Sequence, residues 1–342
     1  MSSKFGSRAA MYTRYTGAPR QVACTEIRAV APTAPVVAGP ATTAQMLLEA
    51  EVFSWVLETN RAYTEYPLGI EYVVPRPDGW TVHLESGTRA DTLLTGLLPC
   101  YEPGRLEEVH GVHGLRVGRR TRHGVELYRL GERTSLWLTG PSERDFRRAE
   151  AELAARVVNL GWAPCWTSGG WTDTEKRWQE QQQPLLHELA ARAAAWLPSG
   201  LLRRVGLFHE VAAPQIVTGY TGLLGKLCVL QLEHLPRGPM RMDQLLEALT
   251  DKENGLALHV SNHRLRNEDD QDCGEFRLRD HAGNAILELR YDRFDDQYLA
   301  GRGNLFDAIV RRIERVDRRP KSTADASGKQ GEPTKREPLP PS

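Results

Sequence analysis

Two stretches of the chain carry carboxylates in a pattern that metal-dependent hydrolysis uses. Asp78 stands in a Pro77-Asp78-Gly79 turn and is followed seven residues later by Glu85, while Asp280 is followed by Glu288-Leu289-Arg290. An Asp and a Glu on adjacent strands can share a divalent cation, and a positive side chain two residues past the Glu steadies the attacking water and the charged phosphate. Asp78, Glu85, Asp280, Glu288 and Arg290 are therefore the candidate catalytic residues. The competing reading is a pair of hairpins with charged turns and edges, which discourage aggregation.

The pattern is similar to that of the PD-(D/E)xK nucleases, in which the last member is Lys. Here Gly87 stands where that Lys would follow Glu85, and Arg290 where it would follow Glu288. Arg is wider than Lys and does not readily lose a proton, so nuclease-like hydrolysis is the alternative and a non-enzymatic role the first expectation. Other motifs fail at their deciding position. Gly219–Lys226 resembles a phosphate loop, but Tyr220 stands five before Gly225 and Leu227 replaces the Ser or Thr that holds magnesium. His110 and His113 form one close pair and His259 and His263 another, yet nothing is spaced to complete either as a metal site. The acidic run Asn267–Asp272 lacks the glycine and closing glutamate of a calcium loop. No cofactor and no metal are expected.

Two segments carry the signs of a binding surface. Residues 1–30 read as two short helices around Thr16-Gly17-Ala18-Pro19, with Lys4, Arg8, Arg14, Arg20 and Arg28 set against one acid, Glu26. Followed by a Pro/Ala/Thr linker over 31–43, they suit a docking segment or a phosphate-contacting arm. The spacing of Arg8, Tyr12, Thr16-Gly17 and Ala23 is similar to a short stretch of bacterial proteins, some from mobile elements; the likeness transfers no site. Four of the eight tryptophans, Trp162, Trp166, Trp171 and Trp178, fall close together. Such a cluster is a packed junction or an aromatic grip. Trp162 and Trp166 are expected to be buried, and Trp171 and Trp178 are the aromatic binding candidates beside Arg8, Arg14, Arg20 and Arg28.

These residues need a scaffold. Hydrophobic content of 40% and charged content of 26% are those of a globular protein. Lys+Arg and Asp+Glu both number 44, so any hold on nucleic acid needs a local patch. Five scattered cysteines without a C-x-x-C pair, no apolar N-terminal core and no long apolar run point to a reducing cytoplasm and no membrane contact.

Apolar periodicity and turn signals give an α+β chain of two small, mostly antiparallel β-meander/helix domains joined by a Trp-rich helical connector. The first domain spans 44–170, the connector helix 171–200 and the second domain 201–318, with a disordered tail over 319–342. Both domains end on a meander and a helix, although no residue-level repeat aligns. The expected function is a binding or assembly protein of a bacterial cytoplasm, with a protein partner, or with nucleic acid through residues 1–43.

Overall fold

The computed structural model describes residues 3–59, 64–85, 89–104, 109–186, 194–212, 214, 216–222, 226–234, 240–267, 270–293 and 311. The closing helix expected over 305–316 and the tail over 319–342 lie outside these, residue 311 excepted.

Helices α1 (Ser3–Thr16), α2 (Arg20–Ala29) and α3 (Thr43–Thr59) come first, then the hairpin β1 (Ile70–Arg76) and β2 (Gly79–Leu84) and helix α4 (Arg89–Leu97). Two short strands, β3 (Cys100–Tyr101) and β4 (Val109–His110), precede the meander β5 (Leu115–Thr121), β6 (Gly124–Arg129) and β7 (Ser135–Thr139). Helix α5 (Glu143–Asn159), strand β8 (Ala163–Pro164) and helix α6 (Asp173–Leu186) complete the first half. The second half runs through α7 (Trp196–Leu202), a π-turn over Leu207–Val211, β9 (Ile216–Gly222), β10 (Leu227–His234), α8 (Met242–Thr250), β11 (His259–Asn267), β12 (Asp270–Arg279) and β13 (Ile286–Arg293).

The α+β class is as the residue pattern predicts, with one five-stranded sheet in each half. Their strand orders are β1-β2-β7-β6-β5 and β9-β10-β13-β12-β11. These are the same path through space. In both, a hairpin is followed by a helix and a meander, and the last strand returns to lie parallel to the second strand of the hairpin. All other neighbours in the two sheets are antiparallel. A meander alone leaves its last strand at an edge; insertion beside β2 or β10 pairs both sides of it and makes each sheet continuous.

Helix ends follow local chemistry. Ser142 caps α5 and exchanges hydrogen bonds with Asp145, forming a capping box. Phe146, Ala149, Leu153 and Val157 form its buried stripe, and Gly161, at φ 76°, turns the chain out of the helix. Thr172 and Glu175 cap α6 in the same reciprocal way, at 3.0 and 3.2 Å. β10 begins directly after Lys226, so the Gly219–Lys226 stretch leads into a strand, with no helix N-terminus to receive a phosphate.

One hydrophobic cluster runs through both halves, from Ala9 to Tyr291. The N-terminal helices belong to it, so the segment expected to dock or to contact phosphates is packed against the rest of the fold. Ala9, Tyr12, Tyr15, Ala18, Ala23 and Ile27 are buried, and Val36 and Val37 bury the stretch expected to be a flexible linker. Tyr15 donates to the carbonyl of Ala248 at 3.2 Å, tying α1 to α8. Gly17, at φ 75°, and Gly206 mark a crossing of two backbones: a Cβ on Gly206 would stand 2.2 Å from the Gly17 nitrogen.

The halves are joined through α3 and α7. Arg203 donates from Nε to Glu49 at 2.7 Å and from a terminal nitrogen at 2.5 Å, and Ser199 donates to the same carboxylate at 2.6 Å. The other terminal nitrogen of Arg203 reaches the carbonyls of Ala38 and Arg76 at 2.6 and 3.0 Å. This pair, 1% and 0% exposed, stands where the Trp segment was expected to form the junction.

Candidate functional site

The two carboxylate pairs proposed for hydrolysis are kept apart. Asp78 lies exposed in the β1–β2 turn and Glu85 follows the far end of β2, where it accepts from the Tyr66 N–H at 2.9 Å. The strand between them is about 20 Å long, far beyond metal-sharing distance. Asp280 caps the β12–β13 turn by accepting from Ala285 N–H at 3.0 Å. Glu288 lies further along β13, opposite Arg277, and is held between Arg277 at 2.9 Å and Arg290. Burial raises the Glu288 pKa, but hydrogen bonds from the two arginines outweigh it and hold the carboxyl below its ordinary range. Arg290 thus neutralises Glu288 within a sheet face. Among the described residues no group of three or more His, Cys, Asp and Glu is disposed to hold a metal ion.

The histidine pairs separate for a structural reason. A one-residue irregularity between Val260 and Asn262 changes the register of β11. His259 therefore stacks on His281, while His263 stacks on Phe276. An extra residue in a strand moves the later side chains to the other face. His110 stacks on Trp162 at 4.6 Å, whereas His113 turns inward and is buried.

Of the four candidate arginines, three are engaged within the fold. Arg8 donates to the carbonyls of Pro32 and Ala34 at 2.8 and 2.9 Å. Arg14 reaches the Gln244 carbonyl at 3.4 Å and Glu247 at 3.7 Å, and Arg28 lies over the Phe5 ring at 5.4 Å. Arg20 is exposed.

The tryptophans pack on residues of the first half. Trp166 is buried at 5% exposure, as expected, but Trp162 is only half-buried. Strand β8 stops at Pro164 and the chain turns at Cys165, where Ser168 N–H bonds back to the Cys165 carbonyl at 3.1 Å. The two rings therefore lose the common strand face that their spacing predicts. Trp171 and Trp178 hold His113 between them, with ring centres 4.8 and 4.5 Å away. Burial pushes the His113 pKa down, so it stays a neutral ring in an aromatic sandwich.

Beneath this sandwich Arg116 on β5 bridges to Glu175 on α6 through both terminal nitrogens, at 3.0 and 2.7 Å. Arg116 also donates to the carbonyls of Ser168 and Gly170 at 3.0 and 2.7 Å. Gly114 accommodates the contact, since a Cβ there would stand 2.5 Å from the Trp171 ring. Arg116 pairs in register with Tyr128, which puts it on the outer face of the first sheet. The Trp segment is thus folded down over one edge of that face.

The remainder of the outer face is half-exposed and aromatic, with Val74 buried where it adjoins Thr81. In β2 and β7 the alternation is sharp: Trp80, Val82, Leu84, Leu136 and Leu138 are buried, and Thr81, His83, Ser135, Trp137 and Thr139 are half-exposed. Register places Thr81, Trp137 and Glu126 in one row and His83 beside Thr139 in the next. Tyr72 stacks on His83, with centres 4.4 Å apart and planes 13° from parallel. The Arg119 guanidinium lies 5.0 Å over the Trp137 ring. An antiparallel face that meets only water is ordinarily polar; Tyr72, Trp137 and Tyr128 depart from that pattern. The sequence reading missed these residues. Their signal was an aromatic on the polar phase of an alternating strand, as Trp137 is in Ser135-Leu136-Trp137-Leu138-Thr139.

No protein-family model matches this chain, and comparisons with curated proteins and with solved structures found no match. Among the described residues no helix is long and apolar enough to cross a membrane.

Proposed function

We propose that the chain is a non-enzymatic binding protein whose contact surface is the outer face of the first sheet. The observation that carries this reading is the half-exposed set Tyr72, His83, Trp137 and Tyr128 on a face whose reverse side is sealed in the core. The buried Arg116–Glu175 pair fixes the Trp segment as a rigid border to that surface. A rigid, aromatic, partly hydrated surface binds without a large ordering cost. The separated carboxylates support the non-enzymatic side of the reading.

The test is capture from a cell extract by the full chain and by a Thr81→Glu variant, with protein and nucleic acid both analysed. Thr81 is half-exposed at the centre of the face, so the added chain blocks the surface and spares the core. The captured material should be lost with Thr81→Glu. Equal capture by both proteins overturns it.

A further inference from the structure

The chemistry beside the rings points to a ligand class, an inference that rests on the binding face proposed for this sheet. The whole chain is neutral, so attraction for an anionic polymer has to be local. The β5–β6 hairpin supplies it. Residues 118–124 read Gly-Arg-Arg-Thr-Arg-His-Gly, with three arginines, one histidine and no acid. Arg120 is committed to Glu150 on α5. Arg119 is 70% exposed over Trp137, and Arg122 is exposed with its Nε directed at the neighbouring His123 ring. Glu126 stands 3.9 Å from Arg119 and Glu71 3.6 Å from His83, so two acids flank the rings.

We propose that this face binds single-stranded nucleic acid, with bases stacking on Trp137 and on the Tyr72–His83 pair and phosphates meeting Arg119 and Arg122. His83 lies opposite Thr139, two residues along β7 from Trp137. The two stacking positions are therefore diagonal neighbours, roughly 8 Å apart from strand separation and rise, which suits consecutive splayed bases. Sheet faces that read unpaired bases work this way: rings on adjacent central strands take about two or three bases while cations follow the backbone. A duplex hides its base faces and could reach only the hairpin. Burial holds the His83 pKa down, which keeps it a flat neutral ring at physiological pH. The same geometry explains why Arg119 covers Trp137 in the free protein: a guanidinium plane occupies the place of a base and can swing to a phosphate when one arrives.

The experiment is an anisotropy titration of the full chain against a labelled mixed-sequence oligonucleotide of about 12 nucleotides, as DNA, as RNA and as duplex DNA. The single strands should bind, more weakly as salt rises, and the duplex more weakly than either. Trp137→Ala should weaken single-strand binding by about 10-fold. Arg122→Ser, at an exposed position that leaves the fold intact, should weaken it less and make the salt dependence shallower. No single-strand binding at low salt, equal binding of duplex, or indifference to both substitutions overturns the proposal. If single strands fail to bind while Thr81→Glu still abolishes capture from extract, the ligand class falls and the binding face stands.

Discussion

Arg116 and Glu175 meet in a forked pair at 3.0 and 2.7 Å, although they are 59 residues apart and 2% and 0% exposed. The pair does two jobs: it caps α6 through Thr172 and it pins the Trp segment to the first sheet. Removing one partner leaves a buried charge without its counterion, which costs about 3–5 kcal/mol. Arg116→Ala is expected to lose that much in urea unfolding. It should also shift tryptophan emission to the red under native conditions, because Trp171 and Trp178 lose their seat on His113. Native emission unchanged from wild type would place the anchor of the segment elsewhere.

Acid should destabilise the protein in two stages. Burial lowers the His113 pKa from its ordinary 6.5, so the folded state resists a proton that the unfolded chain accepts. Its contribution is complete above pH 6.5 and falls as pH drops towards the lower folded value. His83, also lowered by burial, adds to the same stage. Burial alone would raise Glu175, but hydrogen bonds from Arg116 and Thr172 together with the Arg116 charge hold it below its ordinary 4.5. Its contribution is complete above pH 4.5 and disappears as pH falls through the lowered value. Denaturant midpoints measured against pH should show both stages. His113→Phe should flatten the upper one and Glu175→Gln the lower.

The crossing at Gly17 and Gly206 makes the N-terminal helices part of the fold. A Cβ on Gly206 would meet the Gly17 nitrogen at 2.2 Å and the Thr16 carbonyl carbon at 2.7 Å, and both are backbone atoms. Gly206→Ala is expected to cost about 3 kcal/mol, the upper end for overpacking because the clash is with backbone, read as a lowered melting temperature. Gly169→Ala, with nothing within 4 Å, is the near-neutral control. Deletion of residues 1–30 should abolish cooperative unfolding, since it removes Tyr12, Tyr15 and Ile27 from the core. A free arm would predict an undisturbed melt.

Much of the local structure was legible in the residues. The Ser142 and Thr172 caps, the turn around Pro77-Asp78 and the strand alternation in Trp80–Leu84 each depend on neighbours within a few positions. The features that escaped are those set by pairing across the chain. Nothing local says that β7 returns to lie beside β2, so the face shared by His83 and Trp137 could not be assembled. Nothing local gives Arg116 its partner in Glu175, or Arg203 its partner in Glu49. The bulge at Ser261 puts His259 and His263 on opposite faces of β11, because a single extra residue reverses a period of two. The basic N-terminus looked like an arm for the same reason. Arg8 and Arg14 are exposed in any isolated helix, and only the tertiary fold supplies their carbonyl and carboxylate partners.

The most direct measurement is site-specific photo-crosslinking in cells. A photoreactive residue is placed at Thr81, on the outer face of the first sheet, and separately at Arg279, an exposed position on the second sheet. The account predicts abundant adducts from position 81 and few from position 279. Adducts at 279 with none at 81 would contradict it.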